Sequence, residues 1–203
     1  MTQHDDAKSS ASSLANQFLI AMPGMVDDNF AGTVVYLCDH TDHGAMGLVI
    51  NRPTDVNLAD LFEKIDLKLE IQPKATEPVY FGGPVQTDRG FVLHEQSDEE
   101  HTTHYSSSLR IPGGLAMTTS KDVLEAVAAG TGPERFLMTL GYAGWSAGQL
   151  EDEIARNGWL NIQAPTDEMA QIIFETPNED KYDKVLALLG IDIGFLSSEA
   201  GHA

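Results

Sequence analysis

The sequence predicts a single domain containing both β-strands and α-helices, and three observations carry that expectation. Short apolar runs rich in β-branched and aromatic residues recur between glycine- and proline-containing breaks, as strands do. Between them stand helix-start signals followed by apolar residues at helical spacing. No internal repeat and no linker composition interrupts the 203 residues, a length that suits one sizeable core.

In chain order, residues 1–13 are small and polar and are expected to form a disordered tail, with the domain spanning 14–193. Leu14 to Ala21 is apolar and should pack on the body before the Met22-Pro23-Gly24-Met25 turn. Thr33 to Cys38 and Ala45 to Ile50 read as a hairpin around the turn Asp39 to Gly44, ended by Pro53, which lacks a ladder donor. Asn57 should cap a helix whose Leu58, Leu61, Phe62 and Ile65 share one face. Pro78–Phe81 and Gly90–His94 are the next strands, joined by a loop over 82–89, and Gln96 to Tyr105 is an acidic loop.

Leu109–Ile111 and Leu115–Thr118 flank Pro112-Gly113-Gly114 as strand pieces. Thr119 or Ser120 starts a helix that Gly130 stops. Arg135 to Leu140 has the pattern of a buried strand, broken by a turn at Gly141 and Gly144. Ser146 and Gln149 form a capping box, with Trp145 stapled on Leu150, and Gly158 takes the left-handed position after the helix. Leu160–Gln163 is an edge strand. Thr176, Pro177 and Glu179 open a last helix carrying Tyr182, Val185, Leu186 and Leu189, beyond which residues 194–203 form a polar tail.

A net charge of −19, with only 12 Lys and Arg and no cluster of them, opposes binding to phosphate backbones and anionic membranes. No apolar run approaches the ~20 residues of a membrane helix. The single cysteine, Cys38, excludes an internal disulfide. The polar, acidic N-terminus lacks a cationic start leading into an apolar core, so a cytoplasmic location is expected.

Four groups of residues could carry chemistry. Cys38, His40 and His43 offer a thiolate and two imidazoles suited to Zn²⁺, and alternation along a strand would put Cys38 and His40 on one face. A second ligand pair is lacking, so a strand end meeting a polar turn is the favoured expectation and no metal or cofactor is assigned. Cys38 could be a nucleophile activated by His40, although a lone strand cysteine is more often a buried hydrophobe. His101 and His104 follow three acidic residues in what reads as a solvated loop. The glycine turns Phe81-Gly82-Gly83-Pro84 and Gly141 to Gly144-Trp145, with Arg52 at a strand end, could line a ligand cleft to which His40 or His94 adds polar groups. Plain tight packing competes with that idea, and no P-loop, dinucleotide fingerprint, nucleophile elbow or zincin motif is present.

Taken together, Met22–Met25, Val35–His40, Gly44–Pro53, Phe81–Pro84, Gly90–His94 and Gly141–Glu151 resemble the YqgE/AlgH family of bacterial proteins. The resemblance runs from about Leu14 to Ile191, and its combined motifs are specific. It implies an α+β fold, a single domain whose mixed and partly barrel-like β-sheet is flanked by helices. It also implies a cytosolic bacterial protein and, in one branch, a regulator of alginate synthesis acting in transcription. The family supplies no established catalytic residues, and His43 lies outside its pattern. The favoured expectation is a noncatalytic regulatory protein acting through a protein partner. The alternative is an enzyme or small-ligand binder using the two glycine turns.

Overall fold

The structure, a computed structural model, describes residues 13–70, 74–96 and 105–190. Residues 1–12, most of the acidic loop with His101 and His104, and the segment 191–203 lie outside the described residues. The chain enters through β1 (Phe18–Ala21), the β2–β3 hairpin (Val34–Thr41, Gly44–Val49) and β4 (Pro53–Asn57). Helix α1 (Leu58–Lys64), β5 (Pro78–Phe81), β6 (Val85–Glu95), the β7–β8 hairpin (Ser108–Ile111, Leu115–Thr118) and α2 (Lys121–Ala129) follow. Then come β9 (Phe136–Ser146), α3 (Gln149–Ala155), β10 (Trp159–Ile162), α4 (Thr166–Phe174) and α5 (Asn178–Ala187).

The strands run β10-β1-β2-β3-β9-β6-β8-β7, all antiparallel, while β5 pairs β9 in parallel and carries β4. The sheet is therefore mixed, and it curls into a half-barrel. Its concave face buries Tyr36, Cys38, Phe91, Leu93, Met117 and Leu137 beneath Ile172, Ile173, Val185 and Leu186 of α4 and α5. The outer face carries two further cores. Leu19, Val35, Trp145 and Trp159 pack with Leu150 of α3, and Val79, Val92 and Met138 pack with α1 and α2.

β9 touches all three cores because it changes parity. Leu137 points to the concave core and Met138 outward, yet Tyr142 joins the concave side and Ala143 and Trp145 point outward. Gly141, at φ +74°, is the residue where this inversion occurs. The expected turn at Gly141 and Gly144 is thus a bulge inside one eleven-residue strand. A strand can continue past glycine when a partner holds both halves, and here β6 lies along one side while β5 and then β3 lie along the other.

The helix ends follow local rules with some shifts. Asn57 and Asp60 form a reciprocal capping box, and Gly130 closes α2 at φ +78°. Ser146 is still strand, so Gly148 takes the N-cap of α3, although Gln149 reaches back to the Ser146 amide at 3.0 Å. Asn157 rather than Gly158 holds the left-handed position (φ 58°), and Gly158 donates to the Glu153 carbonyl at 2.8 Å. The last helix starts one residue late, at Asn178, and Leu189 is exposed. Pro53 begins β4 instead of only ending the hairpin, as its missing donor permits at a first strand position. The predicted 82–89 loop is shorter, because β6 already starts at Val85. Helix α4 has no counterpart in the sequence expectations.

Two polar contacts, one part-buried and one buried, tie elements together. Glu153 Oε2 accepts both indole N–H groups, Trp145 at 2.9 Å and Trp159 at 2.8 Å, binding α3 to the strands on either side. Lys181 on α5 is 1% exposed, donates to the Ile50 carbonyl at 2.8 Å and lies 5.1 Å from the Tyr80 ring centroid. Burial lowers its pKa to about 8.

Glu153→Leu leaves two indole donors without their acceptor and should cost about 2 kcal/mol, read from urea unfolding followed by tryptophan fluorescence. For Lys181 the folded pKa lies below the unfolded value of 10.5, so the fold penalises the charged form fully below pH about 8. That penalty fades as pH rises from about 8 to 10.5. The stability difference between wild type and Lys181→Met should move in favour of wild type by up to about 3 kcal/mol over this range. A difference independent of pH would show that Lys181 is not held at a lowered pKa.

Candidate functional site

The two glycine turns do meet, but they meet each other. Gly82 donates to the Leu140 carbonyl and accepts from the Val49 amide, both at 2.8 Å. A Cβ on Gly83 would stand 2.1 Å from the Tyr142 carbonyl carbon, and one on Gly82 or Gly141 would stand 2.3 Å from the other segment's carbonyl oxygen. Backbone fills the space where a ligand would approach, which supplies a packing reason for all three glycines. Gly144 and Trp145 flank an open groove with Asp39, Thr41, His43, Met46 and Tyr142. The Trp145 ring itself is buried against Trp159 and Phe30.

Arg52 stands apart from that groove. Its Nη1 donates to the carbonyls of Asp28 (3.0 Å) and Asn29 (2.7 Å), its Nη2 donates to that of Ala31 (3.0 Å), and the guanidinium lies 5.8 Å from the Phe81 ring centroid. Three carbonyls of one loop converge on it, so it clamps the segment before β2.

Cys38, His40 and His43 do not assemble. The β2–β3 register shifts between Leu37 and Asp39, so Cys38 is the extra residue of a bulge. Cys38 therefore faces the concave core, while His40, opposite Ala45, reaches α3 on the other face. The expectation that Cys38 and His40 share a face fails for this reason. Burial, with the nearby Asp39 charge adding to it, pushes the Cys38 thiol well above its ordinary pKa, opposite to the activation a nucleophile needs. His40 Nδ1 accepts from the Leu14 amide at 3.0 Å, which puts the ring proton on Nε2, 2.7 Å from Glu151 Oε1. Among the described residues no group of three His, Cys, Asp or Glu is arranged to hold a metal ion.

His94 is 5% exposed at the end of β6. Its Nδ1 lies 2.9 Å from the Glu95 carbonyl and so carries the proton, leaving Nε2 to accept from the Thr118 hydroxyl at 2.8 Å. Ser108 Oγ then donates to Thr118 Oγ1 at 2.6 Å. Burial lowers the His94 pKa, which favours the neutral ring. The chain of hydroxyls staples β7 and β8 to β6.

No motif announces the cleft that the tertiary structure does form. A cavity of about 290 Å³ opens between Leu58 at the start of α1, Glu77, Pro78 and Tyr80 around β5, residues 134–138 leading into β9, and Phe174 and Glu175 at the end of α4. Arg135 spans its edge. Its Nε donates to Glu95 Oε2 at 2.9 Å and its Nη1 to Glu175 at 2.6 Å, while Nη2 contacts the second Glu95 oxygen. Its hydrogen bonds to Glu95 foremost raise the guanidinium pKa further. The pieces come from four separate stretches with no shared motif, so linear spacing could not announce them.

The AlgH-like family model (DUF179) matches residues 18–194. The UPF0301 protein Reut_A0705 of Cupriavidus pinatubonensis is 65% identical over 198 residues, covering 97% of this chain and 100% of that protein. RSc0675 of Ralstonia nicotianae, also a UPF0301 protein, is 66% identical over 190 residues, or 94% and 95% of the two chains. Among solved structures, the AlgH protein of Pseudomonas aeruginosa superposes with a TM-score of 0.74 at 48% identity over 100% of both chains. Protein DIP2367 of Corynebacterium diphtheriae, at 20% identity and a TM-score of 0.67 over 97% and 94%, shares the fold. Motifs along the strands, the half-barrel they build and these relatives agree: the chain belongs to the AlgH-like family.

Proposed function

We propose that the protein is a noncatalytic interaction protein of the cytoplasm, with any effect on transcription exerted through a protein partner. One observation carries the proposal: the candidate groups Cys38, His40, His94 and Arg52 are already engaged by the fold. The Cys38 thiol is buried, His40 is fixed between the Leu14 amide and Glu151, His94 is hydrogen-bonded to both the Glu95 carbonyl and Thr118, and Arg52 is occupied by three carbonyls. A general base or nucleophile needs a free lone pair beside a reacting atom, and these groups offer none. The net charge of −19 supports a protein partner over nucleic acid, since phosphates would be repelled at long range.

Purified protein should show no salt-sensitive retention of duplex DNA between about 50 and about 200 mM salt. Tight binding that weakens steeply across that range would overturn the partner-mediated proposal. In the native protein Cys38 should react with a disulfide probe at least about 100-fold more slowly than in urea, because the thiol must first be exposed and ionised. Rapid reaction without unfolding would restore a nucleophile and sink the noncatalytic proposal.

A further inference from the structure

We propose that the cleft between α1, β5, the start of β9 and the end of α4 is a binding site for a small organic cation, an ammonium or guanidinium group carried on an apolar stem. This inference stands apart from the noncatalytic proposal and does not depend on it.

The shape suits a small guest. A volume of about 290 Å³ sits near the lower end of ligand sites. Leu58, Leu137 and Met138 supply apolar surface, and Tyr80, Phe136 and Phe174 supply aromatic rings, which attract cations through their π-faces.

The charge around the cleft sets the sign of the guest. Four carboxylates, Glu77, Glu95, Glu134 and Glu175, stand against three cations, Lys74, Arg135 and Lys181. Arg135 spends its donors on Glu95 and Glu175, so it offers little to an incoming anion. Glu77 and Glu134 accept no side-chain hydrogen bond from the described residues. Burial pushes the Glu77 carboxyl above its ordinary pKa, with Lys74 pulling the other way, as expected for a carboxylate short of a close partner. An anion entering here would meet these carboxylates, whereas a cation would complement a charge that Lys74 only partly offsets.

The protein already displays the same chemistry beside the cleft. Lys74 Nζ donates to the Glu134 carbonyl at 2.8 Å and lies 4.5 Å from the Phe136 centroid, and the Arg135 guanidinium lies 6.0 Å from that of Phe174. With Lys181 Nζ 5.1 Å from the Tyr80 centroid, all three wall rings each carry a cation of the chain itself on one face.

Titration of the ¹⁵N-labelled full-length protein at low ionic strength tests the inference. n-Pentylammonium should shift the backbone amides of Glu77, Tyr80, Arg135, Phe136 and Glu175, and pentanoate, with a similar stem and opposite charge, should not. Glu77→Gln, a rim substitution whose fold the same spectrum verifies, should weaken the amine about tenfold by removing a charged acceptor. A capped lysine tested alongside separates the sources of the cation. Equal binding by capped lysine and free amine would assign the site to a partner's side chain, and binding by the free amine alone to a diffusible ligand. No movement of these amides by either cation, equal movement by pentanoate, or unchanged affinity in Glu77→Gln would overturn the proposal.

Discussion

The close approach of Gly82-Gly83 to Gly141-Tyr142 is the constraint on which the rest of the molecule depends. At this point the sheet passes from one partner of β9 to another: β5 pairs with Thr139 and Leu140, and β3 pairs with Ala143 to Ser146. The handover requires backbone against backbone, because a Cβ on Gly82, Gly83 or Gly141 would lie 2.1–2.3 Å from a peptide atom of the opposite segment. It also requires the positive φ of Gly141, which inverts the strand's parity. Without that inversion Trp145 would face the concave core, and α3 would lose the ring it packs on. One dihedral thus lets a single strand serve three apolar clusters.

A second bulge, at Cys38, divides β2 in the same way. It sends the thiol inward and the imidazole outward, where His40 anchors both the segment leading into β1 and helix α3. Polar side chains elsewhere follow the same logic. Arg52 gathers the loop before β2, His94 joins β6 to the β7–β8 hairpin, and Lys181 reaches through the core to Ile50. Buried polar groups must find partners or pay for desolvation, so each becomes a structural link and is withdrawn from solution chemistry.

The cleft beside Arg135 differs from these links. Its carboxylates outnumber its cations, and two of them lack hydrogen-bonded partners among the described residues. An acidic protein can keep such a feature at little cost while its rim stays in water. The similarity in fold to the Corynebacterium diphtheriae protein at 20% identity shows how far side chains can change while this architecture persists. Function in this family must then be sought in such local sites, since a common half-barrel does not by itself specify one.

Local rules made much of the fold legible. The β2–β3 hairpin, the Asn57 cap, the Gly130 stop and the strands around Phe81, Phe91 and Met117 follow from periodicity and capping chemistry, which act within a few residues. What stayed hidden needed distant partners. Gly141 reads as a turn until strands on both sides hold it in line, and α4 lacks a side-chain cap to announce it. Cys38 and His40 read as facial neighbours until pairing with β3 places a bulge between them. The candidate cleft was wholly hidden, because Glu77, Arg135 and Glu175 meet only after the half-barrel closes. The sequence by itself determined most of the elements, the acidic charge and the family. The tertiary structure alone decided which face each side chain occupies and which groups remain open to a ligand, because both depend on strand register between segments far apart in the chain.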